Sequence, residues 1–411
     1  MLRRVLVAFS LALALAACAT VPRSPPEKSA EAPVMVLISI DGFRADYLDR
    51  GVTPTLSALA ARGVRGEMRP SFPSKTFPNH YALVTGLRPD RNGIVDNNMV
   101  DPAIPGVVFA MANKAAVVDA RWWNDAKPIW VSAEQQGVRT GTLFWPGSEA
   151  PIRGVRPTRY AAYDQEMPAG ERVDRALAWL DLPAAERPRF LTLYFDAVDT
   201  AGHHAGPDSP EVNAAAADTD AAIARLLAGL KARNRNANLV IVADHGMAAT
   251  PAGQVVYADD LVPMSATRTL TMGAFWALSP LPGHEAEVAK ALIRPLAHMQ
   301  CWQKAQIPAR YHYGHHPRVP AYFCLAETGW EISTHAYRAR HPNPDKGDHG
   351  FDPYAPEMQA VFVANGPAFR SGVRLATFDN VDVYPLLARV LGVRPDPGDG
   401  RLADVAAALA P

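Results

Sequence analysis

The sequence predicts an α/β protein built on a mostly parallel central sheet flanked by helices. Short apolar runs, VMVLISI, RFLTLYF and NLVIVA, recur along the 411 residues and read as strands buried on both faces. Segments of helical period separate them, so strand and helix alternate as crossover connections require. Each run is followed by an acidic residue, and polar side chains at the carboxyl ends of parallel strands converge on one crevice.

The elements follow in order. Residues 1–18 read as an export signal. Arg3 and Arg4 open it, and VLVAFSLALALAA is too short to span a bilayer comfortably. It ends in Leu15-Ala16-Ala17-Cys18, which resembles a lipobox whose cysteine is lipidated after cleavage. An ordinary secretory signal with an incidental cysteine is the alternative. The expectation is an exported, periplasmic outer-membrane lipoprotein whose membrane contact is a lipid on Cys18. Residues 19–32, rich in Pro, Ser and charge, read as a tether, and 33–411 as a single folded domain.

VMVLISID predicts a central strand, and TPTLSALAARG an amphipathic helix ending at Gly63. TFPNHYALVTG begins as a loop and becomes a short helix. VRTGTLFW predicts a strand and ERVDRALAWLDL a helix. After the strand RFLTLYFD comes a long helix, PEVNAAAADTDAAIARLLAGLKAR, and then the strand NLVIVAD. LTMGAFWAL predicts one further strand, followed by a helix through EAEVAKALIRPLAHM. MQAVFVANG returns to strand, and NVDVYPLLARVLG closes as a helix ending at Gly392. The irregular stretches 100–135 and 250–345 are expected to form insertions, or a small cap, beside the site.

Basic and acidic residues balance at 41 each, so no bulk charge favours a nucleic-acid polymer. With Cys18 in the signal, an oxidising compartment favours a disulfide between Cys301 and Cys324, with two buried thiols as the alternative.

The chemistry lies in four patches. Asp41 ends the first strand and needs a partner if buried. A capping role in its Asp-Gly turn is the plainer reading. Asp199 and His203 stand four apart, where either a helix or a loop could place both on one ion. Asp244 and His245 end NLVIVA, and His349 lies in GDHG. Aspartate and histidine suit Zn²⁺ without thiolate, and two such ions suit attack on phosphorus or sulfur esters. The candidate nucleophile is Thr76 in PSKTFPNH, where a helix start also supplies N–H donors. A mere cap is the plainer reading of Thr76, and Ser74 is the rival hydroxyl.

The run DGFRADYL…TPTLSALAARGV…PSFPSKTFPNHYALVTGLRPDRNGIVDNNM resembles the nucleotide pyrophosphatase/phosphodiesterase family of the alkaline phosphatase superfamily, in its minimal bacterial form. VDTAGHHAGP, ADHGM and GDHGFDP match its later motifs in order. The resemblance implies an alkaline-phosphatase-like catalytic domain with two Zn²⁺ ions. Asp41, Thr76, Asp244 and His245 would surround one zinc, and Asp199, His203 and His349 the other. Thr76 would attack to give a phospho-threonine intermediate. Asn97 and the Phe77 N–H would meet a phosphate oxygen, and Phe77 and Tyr160 would sandwich a nucleobase. Nucleoside triphosphates and dinucleotides would be the substrates, nucleoside 5′-monophosphates the products, and a monomer the working form.

VDTAGH replaces the commoner PDSSGH, and Asn98 stands where some members carry lysine. Three other readings compete. A choline- or glycerol-phosphodiesterase is one, and the quaternary ammonium of choline would want an acidic or aromatic cage. A monoesterase would want a further cation, and a sulfatase a modified Cys or Ser. A non-catalytic zinc-binding surface lipoprotein would leave the Thr76 loop without a purpose.

Overall fold

The computed structural model describes residues 32–411, so the signal, Cys18 and nearly all of the tether lie outside the described residues. Seven strands carry the central sheet: β1 Val34–Ile40, β2 Val64–Arg69, β3 Thr140–Leu143, β4 Arg159–Ala161, β5 Phe190–Phe195, β6 Ala237–Val242 and β7 Ala360–Asn365. Their spatial order is β2-β7-β6-β1-β5-β3-β4, with Val373–Arg374 and Phe378–Asp379 beside β2. β1 pairs in parallel with β5 and β6, and β3 in parallel with β5 and β4. β7 runs antiparallel to both β6 and β2.

The apolar runs explain the layering. Every residue of β1 and of β5 is buried, because helices cover both faces of a parallel sheet. The long helix spans Pro210–Ala232, starting at Ser209, whose Oγ accepts the Val212 N–H. It packs against the helices Pro54–Arg62, Ala169–Leu180 and Ala197–Ala205. Residues Pro33–Pro411 form one compact unit.

The 250–345 excursion has a sheet of its own. Thr267–Thr271, Phe275–Pro280, Tyr322–Ala326 and Met299–Gln303 pair antiparallel in that order. A second hydrophobic cluster, including Trp276, Leu278, Val288 and Leu292, packs here. Two sequence expectations need correction. LTMGAFWAL is two strands, because the chain turns at Gly273, whose φ of 135° suits glycine. The helix expected through EAEVAKALIRPLAHM stops at Leu292, since Pro295 can neither donate to a helix nor leave Arg294 helical. Met299–Gln303 then becomes a strand. Cys301 lies directly opposite Cys324 in the antiparallel pair, and the two form a disulfide.

Candidate active site

The sheet brings the first set of side chains together. Ile40 of β1 is in register with Phe195 of β5, and Ser39 with Val242 of β6. The chain therefore leaves three adjacent strands at one level, just before Asp41, Asp199 and Asp244. Asp199 lies in the first turn of the Ala197–Ala205 helix with His203 one turn on, so the helical alternative for this pair holds. His203 Nε2 is 3.5 Å from Asp199 Oδ2. Gly42, with φ at 66°, lets the β1 exit pass Asp199: a Cβ there would sit 3.0 Å from the Asp199 Cα. The Gly42 N–H also donates to Asp244 Oδ1 at 3.2 Å.

His245 lies at the centre. Its Nε2 is 2.9 Å from Asp244 Oδ2, 3.6 Å from Asp41 Oδ1 and 3.4 Å from Thr76 Oγ1. Its ring stacks on His349 with centroids 3.6 Å apart, and His349 Nε2 is 3.7 Å from Asp199 Oδ1. The structure thus gathers Asp41, Thr76, Asp199, His203, Asp244, His245 and His349 into one cluster. Ser74 is not in competition with Thr76: it is fully buried, and its hydroxyl donates to the Phe351 carbonyl. Thr76 is the first residue of the Thr76–Thr85 helix, with Lys75 in the capping position, so its hydroxyl is not the cap.

The donor set fits cations. Each of the three imidazoles places Nδ1 against a backbone carbonyl: His245 on Gly246 at 2.9 Å, His203 on Gly347 at 2.8 Å and His349 on Ser74 at 2.9 Å. With Nδ1 donating, each Nε2 presents a lone pair. Those lone pairs face carboxylate oxygens, and Asp41 Oδ1, Asp199 Oδ1 and Asp244 Oδ2 are buried without a hydrogen bond. Electron pairs facing one another in a dry pocket need positive charge between them. A proton on His245 would relieve one such contact, but its Nε2 faces three oxygens at once.

The charges bear the same mark. Burial pushes the Asp41 carboxyl well above the ordinary range, and the charges of Asp244 and Asp199 push it further. Tyr194 opposes this by donating to Asp41 Oδ2 at 2.6 Å. Burial also raises Asp199. Asp244 is held below the ordinary range despite burial, because His245 and His80 adjoin it. His349 is pushed down by burial, then by His245 and Lys75.

Two nearby groups are already engaged. His80, fully buried, meets the Thr76 carbonyl through Nδ1 at 2.9 Å and Ser39 Oγ through Nε2 at 2.8 Å. Asp348 is paired with Lys75. Sequence reasoning missed both, and Tyr194 as well. For Tyr194 the signal was available, since a tyrosine in a fully buried strand must find a partner for its hydroxyl.

Beside Thr76 opens a cleft of about 190 Å³ lined by Phe77, Phe144, Trp145, Pro146, Tyr163 and others. Tyr160 does not line it. That ring is 43% exposed on β4, with the Arg156 guanidinium 5.2 Å from its centroid. Tyr163 takes the place expected for Tyr160, held by its hydroxyl on Asp196 at 2.8 Å. The carboxyl-end rule that located Asp41 and Asp244 favours Tyr163, just past β4, over Tyr160 within it. Asn97 accepts the Phe77 N–H through Oδ1 at 2.9 Å. That N–H is therefore occupied, and the amide's Nδ2 is the donor left to offer.

Comparison with known proteins agrees with this geometry. The family model described as type I phosphodiesterase / nucleotide pyrophosphatase matches residues 35–352. An uncharacterized pyrophosphatase/phosphodiesterase of Schizosaccharomyces pombe is 37% identical over 89% of this chain and 78% of its own length. Ectonucleotide pyrophosphatase/phosphodiesterase family member 3 of Bos taurus is 35% identical over 93% of this chain, which spans only 45% of that relative. Among solved structures, murine ectonucleotide pyrophosphatase/phosphodiesterase 5, an inactive variant in complex with AMP, superposes with a TM-score of 0.87 at 32% identity, covering 92% of this chain and all of the other.

Proposed function

The chain belongs to the type I phosphodiesterase / nucleotide pyrophosphatase family, a family of hydrolases, and from that premise we propose that it cleaves phosphodiester or pyrophosphate bonds of nucleotides to release nucleoside 5′-monophosphates. One observation carries the reading: three imidazole lone pairs and three orphaned carboxylate oxygens share one buried cluster, and the Thr76 hydroxyl enters it 3.4 Å from His245 Nε2.

Asp41, Thr76, Asp244 and His245 would hold one zinc ion, and Asp199, His203 and His349 a second. Bound there, such ions supply Lewis-acid activation of a hydroxyl or water and neutralise charge on the reacting oxygens. The protein's own groups do the rest. Thr76 gives up its hydroxyl proton to solvent as Oγ1 forms a bond to phosphorus and the bond to the leaving oxygen breaks. This gives a phospho-threonine that still carries its nucleoside. Water then attacks, the bond to Thr76 Oγ1 breaks, and the 5′-monophosphate leaves. The helix N-terminus at Thr76 favours the anionic phosphorus centre. Asn97 Nδ2 meets a non-bridging oxygen, while the Phe77 N–H orients that amide. Phe77 and Tyr163 offer faces for a base, binding remote from the reacting bond that positions the phosphorus.

The charged start, the apolar stretch and Cys18 support export and lipid anchoring. Among the described residues, no helix is long and apolar enough to cross a membrane.

A parallel assay of a nucleotide 5′-diester, a phosphocholine diester and a phosphomonoester, with and without chelator, tests the proposal. The nucleotide diester is expected to turn over fastest and to stop with chelator. Monoester turnover equal or faster, or activity indifferent to chelator, would reject it.

A further inference from the structure

Thr76 and His349 sit on segments far apart in sequence, and side chains fasten those segments together. The residue before the nucleophile, Lys75, places Nζ 3.0 Å from Oδ1 of the residue before the histidine, Asp348. Both side chains are nearly buried, at 12% and 13% exposed. The same Oδ1 accepts the His349 N–H at 2.8 Å, and Oδ2 accepts the Ala274 N–H of the cap at 2.9 Å. Ser74 adds two ties, donating its hydroxyl to the Phe351 carbonyl at 3.0 Å and receiving His349 Nδ1 on its own carbonyl at 2.9 Å. The lysine stem runs against Gly350, where φ is 111° and a Cβ would come within 2.6 Å of Lys75 Cε.

Lys75 is the cation nearest the nucleophile in the chain, and its obvious use is to bind substrate phosphate. The geometry points to a different one. We propose that Lys75 is a positioning residue, committed to Asp348, and that this ion pair sets the distance between the Thr76 hydroxyl and the His349 imidazole. The inference rests on the phosphodiesterase reading of the same site.

Two physical points support it. Turning Lys75 toward a phosphate would strip a nearly buried carboxylate of its counter-charge, a strongly unfavourable exchange. And both partners adjoin the residues they place, one Cα step of about 3.8 Å away, so a shift in the pair is passed directly to the site. Misplacement of about 1 Å can cost about 10²-fold in rate.

The test is a double-mutant cycle of Lys75→Met and Asp348→Asn, with Lys75→Arg as the charge-conserving variant. Two substrates are used: a nitrophenyl ester of a nucleoside 5′-monophosphate and a nucleoside triphosphate. Each single variant is expected to lose about 10–100-fold in kcat, the range for partners that orient metal ligands. KM should stay within about twofold for both substrates, and the double variant should be no worse than the worse single one. Lys75→Arg should recover part of the loss. Zinc affinity, read by chelator competition without substrate, should fall in Asp348→Asn and Lys75→Met alike.

A KM increase that grows with leaving-group charge while kcat holds would overturn the proposal. So would additive losses in the double variant, or unchanged zinc affinity in both single variants. Melting curves identify a variant that fails to fold; Lys75→Arg, which keeps the charge, then carries the test through its kcat, KM and zinc affinity. If the wild-type chain cleaves neither nucleotide, the functional reading falls, while the zinc measurements still decide on the ion pair.

Discussion

The two halves of the site are held by different forces. Asp41, Asp199, Asp244 and His245 follow the ends of three strands that neighbour each other in a parallel sheet, and backbone register fixes their level. Thr76 and His349 ride on segments outside that sheet; bonds through Ser74, Lys75 and Asp348 hold them to each other, and a short antiparallel pairing of Gly347–Asp348 with Ala248–Ala249 ties the His349 segment to the chain beyond His245. The sheet-borne half carries electrostatic strain, with orphaned oxygens and a raised Asp41. In the loop-borne half the hydrogen bonds are met, and the strain is confined to His349, which burial and the neighbouring His245 and Lys75 push down. A protein can crowd like charges where the backbone cannot yield.

The sharpest way to break this comparison is to remove the hydroxyl. Thr76→Ala is expected to cost at least about 10³-fold in kcat, as removal of a covalent nucleophile does. Zinc content should be largely retained, since the sheet-borne ligands remain. Losing zinc along with activity would show that the halves are not separable. Tyr194→Phe probes the sheet-borne half by removing the hydrogen bond from its hydroxyl that offsets the charge on Asp41. An effect of about tenfold on zinc affinity is expected, with KM unchanged. Tyr163→Ala probes the cleft and is expected to raise KM for nucleotides about tenfold, the value of one stacked base. Tyr160→Ala should leave KM alone.

The strain has a pH signature. In the chelated protein Asp41 and His245 both titrate above their ordinary values. A raised group stabilises the fold below its ordinary value, and that stability is lost as pH rises through the folded value. The melting temperature of the chelated protein should therefore fall as pH rises above the ordinary histidine value of about 6.5. That window lies above the range where the lowered His349 contributes the opposite slope. Zinc should flatten the fall. The smallest catalytic effect is expected outside both halves, in the antiparallel sheet of the excursion: replacing Cys301 and Cys324 by serine should cost about 2–4 kcal/mol in stability and leave kcat/KM unchanged.

The same division governs what the sequence makes legible. VMVLISI, RFLTLYF and NLVIVA announce the buried strands by their unbroken apolar character, and the acids just beyond them inherit a shared location. No comparable period marks the nucleophile loop or GDHG, and these became readable through motif resemblance. Tyr160 and Tyr163, three apart, look alike in the letters until the strand end is known, and of the two it is Tyr163 that lines the cleft. Lys75–Asp348 was unreadable because a pairing between such distant residues leaves no local pattern. The turn at Gly273 and the helix stop before Pro295 were present in the letters, but hydrophobic content masked them.

The central claim is that Thr76 attacks phosphorus before water does. Hydrolysis of a nucleotide 5′-phosphorothioate diester of defined chirality, in isotopically labelled water, tests it directly. Two successive in-line displacements predict net retention of configuration at phosphorus in the released nucleoside thiophosphate. Inversion would mean a single direct attack by water and would contradict the account.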